Sequence, residues 1–123
     1  MDFGMIIAIY ISVNKNNKEE VIMKRILLVC SAGMSTSLLV SKMQASAENQ
    51  KIECEINATA EAELKDRIDD TDVILLGPQV RFLLSKIKKS VESKGIPVEV
   101  INAVDYGTMN GEKVLKQALD LIK

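Results

Sequence analysis

From Lys24 onward, short apolar blocks alternate with longer stretches in which apolar residues return every three or four positions. Ile26-Leu-Leu-Val29 is a continuous apolar block, the mark of a strand covered on both faces in a parallel sheet. Over residues 35–49 Leu38, Leu39, Met43 and Ala47 recur at helical spacing, with Lys42, Gln44 and Glu48 left for water, which predicts a helix. Ile52, Cys54 and Ile56 alternate with Glu53 and Glu55, the period of an edge strand with one wet face. Residues 60–68 predict a short second helix, and Asp72-Val-Ile-Leu-Leu76 a second buried strand stopped by Gly77-Pro78. Val80, Leu83, Leu84, Ile87 and Val91 form the stripe of a third helix, which closes on Lys94-Gly95, a basic last turn followed by a glycine cap. Pro97-Val-Glu-Val-Ile101 is a fourth strand, and Val114, Leu115, Ala118, Leu119 and Ile122 mark a closing helix.

Strict alternation of strand and helix predicts an α/β fold, because parallel strands need crossover connections and right-handed crossovers lay helices on both faces. With four strands the expected order is 2-1-3-4, a small parallel sheet of the flavodoxin-like or low-molecular-weight-phosphatase-like kind. In such sheets ligands bind beyond the carboxyl ends of the strands, where the order reverses. That point falls between the first and third strands. The segments just past the strand ends are Cys30-Ser-Ala-Gly-Met-Ser-Thr36, Gly77-Pro78-Gln79 and, after the fourth strand, Asp105-Tyr106-Gly107. All are expected to open on one edge.

The first twenty-two residues differ from the rest. Met5-Ile-Ile-Ala-Ile-Tyr-Ile-Ser-Val13 is apolar but covers about half of the roughly 20 residues a bilayer crossing needs. Its start, Met1-Asp2-Phe3, lacks the basic lead of a signal peptide, and Asn14-Lys-Asn-Asn-Lys-Glu-Glu20 reads as a solvated linker. Residues 1–22 are therefore expected to be an extension outside the domain, consistent with an upstream start-codon assignment, and residues 23–123 to be the working domain. No membrane insertion is expected.

Charge and composition narrow the chemistry. Sixteen Lys and Arg against seventeen Asp and Glu offer no basic stripe for nucleic acid. The chain has no histidine, which removes the usual general base and excludes a Ser-His-Asp or Cys-His site built within it. With two cysteines, Cys30 and Cys54, a Cys/His zinc centre also lacks ligands, and neither a metal nor a cofactor is expected. A reducing cytoplasm is the expected compartment.

Cys30 stands at the end of a buried strand, before a small-residue loop and a helix start, where backbone N–H groups and the helix dipole favour an anion. Such surroundings favour the nucleophilic thiolate. Ser31, Ala32, Gly33, Met34, Ser35, Thr36 and Ser37 are the candidate phosphate-binding loop: mostly small residues let the backbone curl around a phosphoryl group, Gly33 adds freedom, and the hydroxyls add donors or cap the helix. A cysteine phosphatase places an Arg six residues after its Cys, and here that position is Thr36. A dithiol redox site would need a second Cys at position 33, which is Gly33. A phosphoryl carrier needs only a thiolate and an N–H cradle. A capped helix after a strand-end cysteine of purely structural role also fits these facts.

Cys30-Ser-Ala-Gly-Met-Ser-Thr-Ser-Leu-Leu-Val-Ser-Lys-Met43, Leu75-Leu-Gly-Pro-Gln79 and Tyr106-Gly107 resemble, over residues 23–123, the enzyme IIB component of the bacterial sugar phosphotransferase system, lactose/cellobiose class. Among its members the chain looks most like those serving cellobiose, chitobiose and related β-linked disaccharides. The resemblance implies that Cys30 accepts a phosphoryl group from a phosphohistidine of enzyme IIA and passes it to the sugar held by the membrane permease, enzyme IIC. A small cysteine-dependent phosphatase is the alternative.

Other residues carry weaker expectations. Gln79 either turns its amide toward the phosphoryl site or simply opens the third helix, and Tyr106 either lines the rim or packs under the loop. Met34 is expected at the loop tip, facing a partner or tucked against the first helix. Asp105 would repel a phosphate and is assigned to loop structure or partner contact. Cys54 is expected to pack as a small hydrophobe. Lys86, Lys88 and Lys89 read as a solvated face.

Overall fold

The computed structural model describes residues 23–31 and 34–122, with Met34 and Ser35 described through their backbone alone. The apolar run at 5–13 and the linker lie outside the described residues, as do Ala32 and Gly33.

Four strands form one parallel sheet: β1 (Lys24–Val29), β2 (Cys54–Thr59), β3 (Val73–Leu76) and β4 (Val98–Val100), in the order β2-β1-β3-β4. This is the expected 2-1-3-4 arrangement. The two central strands are the two continuous apolar blocks, and their side chains are buried on both faces: Ile26 to Val29 and Val73 to Leu76 expose 2% or less. Helix α1 (Met34–Asn49) and helix α4 (Gly111–Leu121) cover one face, where Leu39, Met43, Ala47, Val114, Leu115 and Ala118 meet Ile26, Leu28, Val73 and Leu75. Leu27, Val29, Ile74 and Leu76 face the other way, onto Ile87 and Val91 of α2 (Leu84–Val91) and onto Leu64 and Ile68. Alternate residues of each strand thus feed two separate cores, which is why the strands read as unbroken apolar runs.

Register follows from the ends. At the start of the sheet Asp72 accepts from the Arg25 backbone N–H at 2.8 Å and from its guanidinium at 3.3 Å, while the Asp72 N–H donates to the Arg25 carbonyl. Burial pushes the Asp72 carboxyl up, but the hydrogen bonds and charge of Arg25 outweigh it and hold the group below its usual range. At the far end Val29 pairs with Thr59 and Leu76, so β1, β2 and β3 finish level and present their following residues along one edge. Helices α1 and α4 approach closely at Gly111, where a methyl group would fall 2.5 Å from a Lys42 backbone carbon. Only a residue without Cβ allows that contact.

Three expectations are corrected. The segment expected as a second helix over 60–68 forms two tight 3-10 turns, Glu61–Asp66 and Ile68–Asp70. It buries only Leu64 and Ile68, a stripe too thin to hold longer α-helical turns against the sheet. The third helix is preceded by a 3-10 stretch, Pro78–Leu83, with a kink at Val80 (φ −117°, ψ 24°), so α-geometry begins only at Leu84. Asp105, Tyr106 and Gly107, expected in a loop, belong to a short helix, α3 (Ala103–Gly107), because the Asn102 side chain accepts from the N–H groups of Val104 and Asp105. Cys54 is half-buried at the start of β2, against the α1 core rather than inside it.

Candidate functional site

Cys30 is the first residue past β1. Its N–H donates to the Thr59 carbonyl at 3.1 Å, and the Gly77 N–H donates to the Val29 carbonyl at 2.9 Å. The cysteine backbone is therefore held between the exits of β2 and β3, at the reversal of strand order. Its side chain is 6% exposed. Ser31 is exposed beside it, and α1 begins at Met34.

The residue that touches the sulfur is Thr36. Its hydroxyl donates to Cys30 Sγ at 2.7 Å, and the side chain is 3% exposed. Thr36 is the third residue of α1. Helical side chains lean toward their own N-terminus, which aims a hydroxyl in the first turn back at the strand end. Where a cysteine phosphatase would place a guanidinium, this chain thus places a short, buried donor that meets the sulfur. Ser37, next in line, is exposed. Ala32, Gly33 and the side chains of Met34 and Ser35 lie outside the described residues, and the expected N–H cradle and loop-tip methionine fall there.

Gly77 makes the opposite wall. A methyl group on it would lie 3.6 Å from Cys30 Cβ and 2.5 Å from Gln79 Oε1, so the Gln79 side chain folds back over Gly77 beside the cysteine. Gln79 Nε2 donates to the Tyr106 hydroxyl oxygen at 2.8 Å. The amide therefore bridges the exits of β3 and β4. Gln79 lies in the 3-10 stretch that leads to α2, and its amide N–H is directed to Tyr106. Tyr106 packs against the α1/α4 core, and its hydroxyl accepts from Gln79.

Two residues that sequence reasoning missed position this wall. Gln117 of α4 accepts from the Asn102 N–H at 3.1 Å and donates to the Val100 carbonyl at 2.9 Å, pinning the corner from which α3 and Tyr106 project. Asn102, as the cap of α3, had a readable signal in its position after an apolar strand. Gln117, fifteen residues away, had none.

Cys54 belongs to a different place. It pairs with Lys24 at the opposite end of the sheet from Val29 and Thr59, about five strand residues or roughly 17 Å away, too far for a disulfide with Cys30. Both thiols are free. Burial pushes the Cys54 thiol up, and Glu53 adds to that. Lys86 of the basic face pairs with Glu61 at 2.7 Å in open solvent, a contact worth little. Among the described residues no group of three or more Cys, Asp or Glu could hold a metal ion, and no helix is long and apolar enough to cross a membrane.

Three of the exposed large apolar side chains stand on elements that leave the Cys30 edge: Leu38 early in α1, Phe82 in the stretch after Gly77, and Val104 in α3. Phe82 is 76% exposed and Val104 71%.

The model of the family "PTS system, Lactose/Cellobiose specific IIB subunit" matches residues 25–117. The oligo-beta-mannoside-specific EIIB component of Bacillus subtilis is 45% identical over 100 residues, covering 81% of this chain and 97% of that protein. The galactose-specific EIIB component of Lactococcus lactis subsp. cremoris is 50% identical, covering 80% and 96%. Among solved structures, the cellobiose-specific phosphotransferase IIB component of Borrelia burgdorferi shares 48% identity at a TM-score of 0.69, covering 81% of this chain and 92% of that one. The lactose-specific IIB domain of Streptococcus pneumoniae shares the fold at a TM-score of 0.75 and 21% identity, covering 82% and 99%.

Proposed function

The chain belongs to the lactose/cellobiose-specific IIB subunit family of the sugar phosphotransferase system, and from that premise we propose that Cys30 is its phosphoryl carrier. Cys30 takes the group from a phosphohistidine of enzyme IIA and hands it to a β-linked disaccharide held by the permease, enzyme IIC. The observation that carries this reading is the placement of Cys30 at the strand-order reversal, with its sulfur met by the Thr36 hydroxyl.

Phosphoryl transfer through a loose transition state asks mainly for alignment and for donors around the spreading negative charge. Backbone N–H groups over residues 31–37, with the hydroxyls of Ser31, Ser35, Thr36 and Ser37, supply those donors without a metal or cofactor. Because the chain has no histidine, the donor imidazole comes from another protein. Leu38, Phe82 and Val104 give such proteins an apolar rim to close on, which keeps water from the phosphorus. The chain works on the cytoplasmic side as residues 23–123, with residues 1–22 outside the working domain.

The competing reading, a cysteine phosphatase, is disfavoured because Thr36 occupies the position of the phosphate-binding Arg. An aryl phosphate assay separates the two. The carrier is expected to release no more aryl alcohol than one equivalent per chain, and sustained turnover would establish the phosphatase instead.

A further inference from the structure

The geometry points to Thr36 as a catalytic residue that stabilises the departing Cys30 thiolate, and so sets how readily the phosphoryl group leaves. The inference rests on the carrier reading above. Its starting point is the 2.7 Å hydrogen bond from the Thr36 hydroxyl to Sγ, made by a side chain that is 3% exposed.

The bond is worth different amounts in the two states of the carrier. When Sγ is ionised it accepts a charge-assisted hydrogen bond, about twice as strong as one between neutral groups. Once sulfur is bonded to phosphorus it resembles a thioether, which is a weak acceptor. Thr36 therefore stabilises the unloaded carrier more than the loaded one.

On loading, a lone pair of Sγ attacks phosphorus, the S–P bond forms, the P–N bond breaks, and the electron pair stays on the donor imidazole nitrogen, which takes up one proton from the buffer. On unloading, the acceptor hydroxyl oxygen attacks phosphorus, the S–P bond breaks, and its electron pair returns to Sγ, where Thr36 receives it. The hydroxyl proton is lost to the buffer on balance. Charge grows on sulfur in the second step, so the donor acts where the leaving group needs it.

Thr36→Val is nearly isosteric and β-branched like threonine, so it removes the donor and keeps the shape, while Thr36→Ser keeps the donor. The measurement is the equilibrium division of phosphoryl group between enzyme IIA and this chain, read by intact mass at about pH 9, where an unperturbed thiol is mostly ionised. Thr36→Val is expected to shift the division toward phosphocysteine about tenfold and to slow return of the group to enzyme IIA by a similar factor, with Thr36→Ser close to wild type. A structural role alone slows loading and unloading alike and leaves the division unchanged. An unchanged division in Thr36→Val, with wild type loaded normally on Cys30, overturns this inference and leaves the carrier reading standing. Failure of the wild-type chain to load at Cys30 overturns both.

Discussion

Cys30→Ser is expected to reduce phosphoryl passage from enzyme IIA to sugar by at least roughly a thousandfold in a system reconstituted with enzyme IIA and permease-bearing vesicles. A serine hydroxyl remains protonated near neutral pH, and the chain has no histidine to take its proton. Thr36 offers no help, since its hydroxyl is placed to donate to the nucleophile and not to accept from it. The fold should tolerate the change, because the backbone of residue 30 is fixed by the Thr59 carbonyl whatever the side chain. The loss is therefore chemical and should appear with an unchanged melting curve. Cys54 cannot stand in, being at the opposite end of the sheet with its thiol pushed up by burial. Transfer by Cys30→Ser at near the wild-type rate would remove the thiolate from the mechanism.

Gly77→Ala is the second substitution with a large expected effect, and its sign differs between activity and stability. Gly77 has φ −61° and ψ 149°, ordinary extended geometry, so an alanine there carries no backbone strain. Restricting the unfolded chain should even add about 0.4–1 kcal/mol of stability. The new methyl group, however, requires the space of Gln79 Oε1, and a flexible side chain is what yields. Gln79 leaves Tyr106, and the bridge between the β3 and β4 exits opens beside Cys30. Transfer should fall roughly ten- to a hundredfold, the scale of a small misplacement near reacting groups. Gln79→Ala should lose a similar amount, and the double substitution no more than either alone, since both remove one bridge. Additive losses, or a chain that melts earlier, would show that Gly77 acts through the core instead.

Fold and site differed in how far they could be read from sequence, for physical reasons. Ile26–Val29 and Val73–Leu76 were legible because central parallel strands bury both faces, and such blocks have few other uses in a chain of this size. Their order was expected from the arrangement usual for a small flavodoxin-like sheet, with crossover handedness placing the helices on both faces. The 60–70 segment was not legible as turns: Leu64 and Ile68 stand four apart, as in a helix, and only their packing shows that each anchors its own turn. The short helix α3 depends on one cap, Asn102, which local patterning cannot weigh against a loop.

At the site, Cys30 was visible as a strand-end thiol before a small-residue loop. Thr36 was visible only as one hydroxyl among several, since its contact with sulfur depends on where the first helical turn sits over the strand end. Gln79 and Tyr106 lie twenty-seven residues apart and meet only because β3 and β4 are neighbours. Spacing along the chain contains no trace of that bond. The missing histidine, plain from the start, gains its meaning from the proposed carrier role: with Cys30 as carrier, the phosphohistidine donor belongs to another protein.

The most direct test of the carrier mechanism is to incubate the purified chain with phosphorylated enzyme IIA, without sugar, and locate the label by peptide mass mapping under conditions that preserve phosphocysteine. A single phosphoryl group on the peptide containing Cys30, discharged when permease and sugar are added, is the expected result. A chain that remains unmodified, or that carries the group on any other residue, would contradict it.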